Sequence, residues 1–207
     1  MLTHPVKINN NTIIDAIAAL KNGGLIIYPT ETFYGLGADA MNHSAVERIL
    51  GVKARGTAKT LPIIVSDISM LLRICKQITE SASVLIKKFW PGPLTIIFQA
   101  KKDLPAGIVS ESGKVAVRIS SSGIAQKIVK GLGSPVVATS ANLSGGKSPV
   151  AINEIHIGVR SKAAIIIDSG RLSGVKGSTI VDATVNPIMI IRDGEIPSEQ
   201  ILNSLKE

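Results

Sequence analysis

The order of apolar segments along the chain predicts a mixed α/β (α+β) fold, with helices packed around a twisted, mixed β-sheet. Segments with the apolar periodicity of helices alternate with short continuous apolar runs, which are typical of buried strands. Two predicted strands, near Thr179 and Ile188, follow each other without a helix between them, unlike the strands of a regular doubly wound sheet. Neither an internal repeat nor a Pro/Ser-rich linker interrupts the 207 residues, so a single domain over 1–207 is predicted.

The first half of the chain carries start and stop signals for helices. Thr12-x-x-Asp15 and Ser44-x-x-Glu47 resemble capping boxes, and Gly23 can end the first helix. Pro91 ends a longer helical segment because proline cannot continue a helix. These signals predict helices over 12–20, 44–50 and, in two pieces, 67–89, strands over 25–28, 61–65 and 94–99, and loops over 29–40 and 53–60.

The second half of the chain is richer in predicted strands. Ser122 and Gly131 bracket one helical segment, and a terminal helix places Ile201 and Leu205 on one face. Strands are predicted over 115–119, 136–138, 164–168, 179–182 and 188–192, and helices over 122–130 and 198–206. The loop over 143–150 is the best candidate for a domain boundary, but a functional loop explains its composition equally well.

Composition narrows the class of protein. Hydrophobic residues make up 45% and aromatic residues only 3%, so the core is expected to be aliphatic. A formal net charge of +8 favours anionic partners. Cys75 is the single cysteine and the three histidines are scattered, so neither a disulfide nor a protein-held metal is predicted. Without a signal peptide or a membrane-length apolar run, we expect a soluble cytoplasmic protein with no membrane partner.

Cations mark one part of a candidate site. Lys53, Arg55 and Lys59 lie within one short polar segment, which indicates either a solvated basic loop or an anion site. Arg118 ends an apolar strand, where an arginine needs a carboxylate or phosphate partner. That partner is either a ligand or a structural acid.

Hydroxyl and amide side chains follow several predicted strands. Thr30 and Thr32 alternate after the strand over 25–28, so an extended backbone would point both hydroxyls the same way. Ser140 and Asn142 follow another strand, and Ser178 lies in a corner of small residues. Local turns or a helix cap are the alternative roles. Because the P-loop pattern is absent from the sequence, a polyphosphate or carboxylate site of a different design is predicted.

Seven segments, in order and over nearly the whole chain, resemble the YrdC family of threonylcarbamoyl-AMP synthases in its single-domain form. They are PTETFYGLG at 29–37, KAR at 53–55, WPGPLT at 90–95, VAVR at 115–118, TSANLSG at 139–145, GSTIVD at 177–182 and IRDG at 191–194. Any one of these segments alone is a weak signal. Seven in the family's order are highly specific.

The resemblance implies a YrdC-like fold with a basic concave face, and a nucleotidyltransferase reaction. L-Threonine, bicarbonate and ATP would give threonylcarbamoyl-adenylate and pyrophosphate. Mg²⁺ is expected with ATP, bound mainly by phosphate and water. A downstream transferase complex would then modify tRNA beside the anticodon, and direct contact with tRNA is an open expectation.

The resemblance also implies roles for individual residues. Thr32, Arg118 and Ser178 match positions that hold threonine, and Lys53 and Arg55 match catalytic cations. The nucleotide side matches Lys53, Arg55, Lys59, Lys114, Ser140, Asn142, Ser148 and Arg192. Gly56 and Thr60 stand where prolines are usual in the family, which predicts a more mobile loop between them.

Two other functions fit part of the pattern. A non-catalytic RNA-binding module would use the net charge of +8, but the aromatic content of 3% leaves few platforms for stacked bases. A different enzyme acting on a sugar phosphate would not need Ser140 and Asn142 beside the cations.

Overall fold

The strands form two mixed sheets surrounded by helices in the computed structural model, which describes residues 4–53, 60–101 and 103–206. The strands are β1 (Pro5–Lys7), β2 (Leu25–Pro29), β3 (Tyr34–Gly37), β4 (Ile63–Ile64), β5 (Leu94–Gln99), β6 (Lys114–Arg118), β7 (Val136–Val137), β8 (Thr139–Ser140), β9 (Ala163–Asp168), β10 (Thr179–Asp182) and β11 (Met189–Arg192). The helices are α1 (Asn10–Lys21), α2 (His43–Val52), α3 (Ile68–Ile74), α4 (Glu80–Phe89), α5 (Gly123–Leu132), α6 (Ile157–Arg160) and α7 (Ser198–Asn203), with a 3₁₀ turn over Ile152–Glu154.

Within the described ranges, the first sheet has the strand order β1-β9-β2-β3-β8 and the second sheet β11-β10-β5-β6-β4-β7. In the first sheet β2 pairs with β9 in parallel and with β3 in antiparallel fashion. In the second sheet β5 lies parallel to β10 and antiparallel to β6. The predicted mixed α/β class is therefore confirmed, with its strands divided between two sheets.

Side-chain caps fix where the helices begin. Asn9 caps α1 and forms a reciprocal capping box with Thr12, so the box lies three residues before the predicted one. Asn42 caps α2, two residues before the predicted Ser44. Both corrections have one cause, since asparagine caps a helix as well as serine or threonine does.

Strand β3 lies inside the segment that the sequence predicts as a loop. The strand was not predicted because two of its four residues are glycine, which is uncommon in strand interiors. The Tyr28 ring explains them: a Cβ at Gly37 would lie 2.7 Å from Tyr28 Cε1, and one at Gly35 would lie 3.3 Å from the same atom. The short elements β1, β8 and α6 were also not predicted.

The core is mainly aliphatic, as predicted, and it runs under both sheets. Tyr28 and Tyr34 are fully buried exceptions, and the Tyr28 hydroxyl donates to the carbonyl oxygen of Val137 at 3.1 Å. In the part of the chain that the structure describes, no helix has the length and apolar character needed to cross a membrane.

Candidate active site

A cavity of about 710 Å³ lies where the ends of β2, β3 and β8 face the open side of β5, β6 and β10. Its volume is in the range of ligand pockets. Its lining includes the predicted site residues Thr32, Arg118, Ser140, Ser148, Ser178 and Arg192. A second cavity, of about 300 Å³ around Lys76 and Ser110, contains none of the predicted site residues.

Two threonine hydroxyls line the cavity between β2 and β3. Thr30 and Thr32 are both buried, and their Oγ1 atoms lie 3.1 Å apart. Thr30 Oγ1 also donates to the carbonyl oxygen of Phe33 at 2.7 Å. The backbone over 31–33 bends instead of extending, and the backbone N–H groups of Thr32 and Phe33 donate to Thr30 Oγ1 at 3.2 Å each. The two hydroxyls therefore meet through the local turn of the alternative interpretation, and not through an extended strand.

Arg118 ends β6 with its side chain in the cavity wall, where it is 6% exposed. Its Nη1 lies 2.7 Å from Glu31 Oε1, in an ion pair that makes no aligned hydrogen bond at that oxygen. The other carboxylate oxygen of Glu31 accepts a hydrogen bond from the Ser120 hydroxyl. The sequence left open whether the partner of Arg118 is a ligand or a structural acid, and in this structure it is an acid.

Arg192 approaches the same cavity from β11. Its Nε and Nη2 donate to the carbonyl oxygen of Ser178 at 3.1 and 2.7 Å. The Ser178 hydroxyl lies 2.8 Å from Thr95 Oγ1, which ties this corner to β5. Burial and then the charge of nearby Arg118 lower the pKa of Arg192. Two guanidinium groups therefore face one cavity, an arrangement that suits anionic ligands.

Lys53 is placed differently from its prediction. The sequence predicted that it begins a polar loop over 53–60, either solvated or anion-binding, whereas it caps the end of α2 and is fully buried. Its Nζ donates to the carbonyl oxygens of Ser140 and Asn142, at 2.7 Å each, and to the Asn142 side chain. A buried ammonium group needs such acceptors to offset its lost hydration. The Ser140 hydroxyl in turn donates to Asn142 Oδ1 at 2.7 Å.

Lys114 stands apart from the other predicted nucleotide ligands. It lies on the same face of β6 as Arg118, but outside the cavity lining, and its Nζ contacts Asp182 Oδ2 at 2.8 Å. Arg55, Gly56 and Lys59 lie outside the described residues, while Thr60 lines the cavity. Over the described ranges, no three His, Cys, Asp or Glu side chains come close enough together to hold a metal ion.

Some site residues were not predicted. Glu31 and Thr95 lie in the segments 29–37 and 90–95 that resemble the family, but no role was predicted for either residue. Tyr34 lines the cavity while its hydroxyl donates to the carbonyl oxygen of Gly170 at 2.6 Å. Such contacts join residues far apart in sequence, which local patterns do not encode.

Comparison with known proteins places this chain among relatives of one kind. The model of the Sua5/YciO/YrdC family, described as "Telomere recombination", matches residues 18–194. The threonylcarbamoyl-AMP synthases of Pyrococcus abyssi and Bacillus subtilis are 37% and 34% identical over 90% and 97% of the chain. A putative threonylcarbamoyl-AMP synthase of Mycobacterium tuberculosis is 31% identical over 93% of the chain and 88% of its own length.

Solved structures agree with these relatives. Sua5 of P. abyssi, solved with L-threonine, superposes with a TM-score of 0.92 at 34% identity, covering 100% of this chain and 62% of that one. YciO of E. coli superposes with a TM-score of 0.84 at 27% identity, covering 96% and 97% of the two chains. The chain spans only 55% and 58% of the P. abyssi and B. subtilis synthases. With its family model, its relatives and its fold in agreement, the chain belongs to the Sua5/YciO/YrdC family.

Proposed function

We propose that the chain is a nucleotidyltransferase that forms threonylcarbamoyl-adenylate from L-threonine, bicarbonate and ATP, releasing pyrophosphate. One observation carries the proposal: Arg118 and Arg192 face a single hydroxyl-lined cavity. Relatives named threonylcarbamoyl-AMP synthase, and a structural neighbour solved with L-threonine, support the choice of substrates.

Threonine is assigned to the side of the cavity where β2 and β6 end. The planar fork of Arg118 suits a carboxylate, because two parallel hydrogen bonds can form. Thr32 and Ser178 are the proposed partners of the threonine side chain, since hydroxyls can both donate and accept. Both are buried and both line the cavity.

The nucleotide is assigned to the remaining wall of the cavity. Ser140, Ser148 and Arg192 line that wall, and Lys53 fixes the backbone that carries Ser140 and Asn142. Arg55 and Lys59 are proposed as further phosphate partners on the strength of the sequence motif. We leave Lys114 out of this set, because it is paired with Asp182 outside the cavity lining.

The reaction needs charge to be neutralised more than it needs a nucleophilic side chain. The threonine amine and bicarbonate give a carbamate with loss of water. A carbamate oxygen then bonds to the α-phosphorus of ATP while the bond from that phosphorus to the pyrophosphate oxygen breaks. Guanidinium groups in a partly buried cavity offset the repulsion between these anions. Mg²⁺ would arrive on the triphosphate and add positive charge there.

The product is a mixed anhydride, so a second enzyme must receive the threonylcarbamoyl group. We propose a tRNA-modifying transferase complex as that recipient and the cytoplasm as the place of reaction. Direct contact of this chain with tRNA is part of the same proposal. The net charge of +8 supports it, because positive charge attracts the phosphate backbone of RNA.

Pyrophosphate release tests the function, with each substrate omitted in turn. We expect release only when L-threonine, bicarbonate and ATP are all present. L-Serine should react more slowly but measurably, because a single methyl contact is worth only about 1–3 kcal/mol. Release at an equal rate without threonine would refute the proposal. RNA binding with no pyrophosphate release under any condition would favour the non-catalytic alternative.

A further inference from the structure

The Glu31 carboxylate is the ion-pair partner of the Arg118 guanidinium in the cavity wall. Thr30, Thr32 and Arg118 belong to the cavity lining and Glu31 does not. The side chain of Glu31 is 13% exposed and the side chain of Arg118 is 7% exposed. Their ion-pair contact measures 2.7 Å. The ion pair therefore joins an arginine that lines the cavity to a carboxylate that is not part of the lining.

A hydrogen-bond network fixes the carboxylate in turn. Ser120 donates its hydroxyl to Glu31 Oε2, and the backbone N–H of Ser122 donates to that same hydroxyl oxygen at 3.2 Å. The Ser122 hydroxyl donates to the carbonyl oxygen of Pro29 at 3.0 Å. The network connects the end of β2 in the first sheet with the end of β6 in the second, so Glu31 is held from both sides.

From this arrangement we infer that Glu31 is a positioning residue, which presents Arg118 to the carboxylate of the substrate. The inference rests on the proposed function, in which that substrate is threonine. A guanidinium has five N–H donors, and the 2.7 Å contact with Glu31 is made by Nη1. The other donors of Arg118 are thereby oriented before a ligand arrives, which reduces the entropy lost on binding.

Glu31 also affects Arg118 in a second way, because its negative charge offsets the repulsion between Arg118 and Arg192. The two arginines are close enough for the charge of one to lower the pKa of the other. Like charges facing one cavity repel, and the Glu31 carboxylate paired with Arg118 offsets that repulsion. Without Glu31, the Arg118 side chain would be free to turn away from Arg192 and out of the position that binds the carboxylate.

The test is a double-mutant cycle on the apparent KM for threonine and for ATP. The variants are Glu31→Gln, Arg118→Met and the combination of both, with pyrophosphate release as the assay. Glu31→Gln keeps the shape and removes the charge, and should raise the KM for threonine about tenfold with the KM for ATP unchanged. In the Arg118→Met background the same change should have no further effect, because Glu31 acts through Arg118.

Three further variants keep the test decisive if Glu31→Gln folds poorly. Ser120→Ala should raise the KM for threonine by a smaller factor than Glu31→Gln does. Glu31→Asp, which keeps the negative charge, should have a lower KM for threonine than Glu31→Gln. Glu154→Gln removes the carboxylate of another ion pair, with Arg171 at 3.1 Å on the surface, and should change neither KM.

Equal rises in both KM values would overturn the inference, because they indicate general damage to the site. Independent, multiplying effects of Glu31→Gln and Arg118→Met would overturn it as well. An unmodified protein that releases no pyrophosphate would instead refute the proposed function itself.

Discussion

Lys53 Nζ lies 2.7 Å from the carbonyl oxygens of both Ser140 and Asn142, in the interior of the protein. The contact joins the end of α2 to the loop after β8, which carries part of the cavity wall. The ammonium group thus shapes the backbone of the proposed nucleotide side. Its charge is also close enough to that side to add to the positive potential there.

Replacing this lysine should cost stability as well as activity. Lys53→Met leaves buried carbonyl oxygens without their donor, at about 1–3 kcal/mol for each unsatisfied group. In a protein of this size each kcal/mol corresponds to about 2–4 °C in Tm. A thermal melt should therefore show a clear decrease, whereas Lys130→Met on the exposed surface of α5 should melt like the unmodified protein. An unchanged Tm for Lys53→Met with lost ATP use would show that Lys53 contacts phosphate directly.

The sequence located the site well and the roles of single residues less well. Arg118, Thr32 and Ser178 converge on one cavity, because the ends of strands meet at the same edge of each sheet. The burial of Lys53 was not predicted, since a lysine next to a polar segment gives no local sign of burial. The pairing of Arg118 with Glu31 depends on the docking of the two sheets, and sequence spacing does not encode that docking.

A close backbone approach at the Arg192 corner predicts a sensitive glycine. A Cβ at Gly194 would collide with the carbonyl oxygen of Gly177 and with the backbone of Ser178. Gly194→Ala should displace this corner, disturb the bonds from Arg192 to Ser178 and reduce pyrophosphate release strongly. Gly51→Ala is the matched control, because nothing lies within 4 Å of a Cβ there. In helix α2 that change should stabilise the protein by up to about 1 kcal/mol.

Measuring activity and Tm for both glycine variants checks this prediction. Full activity of Gly194→Ala would mean that the corner tolerates displacement. The proposed role of Arg192 would then lose its structural basis.

The ion pair between Lys114 and Asp182 predicts acid-dependent stability. Burial alone would raise the pKa of Asp182, but the Lys114 ammonium and the bonds from Thr184 outweigh it and hold that pKa below 3.8. Because the pKa is depressed in the folded state, the stabilisation is present above pH 3.8 and is lost as the pH falls below it.

Asp182→Asn should therefore lower the free energy of unfolding at neutral pH and make it less dependent on pH in the acid range. Urea unfolding at a series of pH values measures both effects, with Asp15→Asn on the exposed side of α1 as the control. If the free energy of unfolding of Asp182→Asn depends on pH in the acid range as it does in the unmodified protein, other carboxylates are responsible for the loss of stability in acid.

Arg118→Lys should not be a mild change. Lysine keeps the charge opposite Glu31 but loses the planar fork, so one of two parallel hydrogen bonds to a carboxylate disappears. Hydrogen bonds to charged groups contribute about 1.5–3 kcal/mol each, so threonine affinity should fall about tenfold or more. ATP affinity measured without threonine should barely change.

Calorimetric titration with each ligand decides between the two assignments of Arg118. Arg73→Lys, at an exposed position on α3, should leave both affinities unchanged. A variant at Arg118 that keeps threonine affinity and loses ATP affinity would show that this arginine binds the nucleotide.

The most direct measurement follows the carbon of bicarbonate into the product. The protein is incubated with L-threonine, ATP, Mg²⁺ and isotopically labelled bicarbonate, and the products are resolved by mass spectrometry. We expect one species containing threonine, AMP and the labelled carbon, formed together with pyrophosphate and absent when threonine is omitted. Pyrophosphate release accompanied only by AMP, or by a threonine adduct without the labelled carbon, would contradict it.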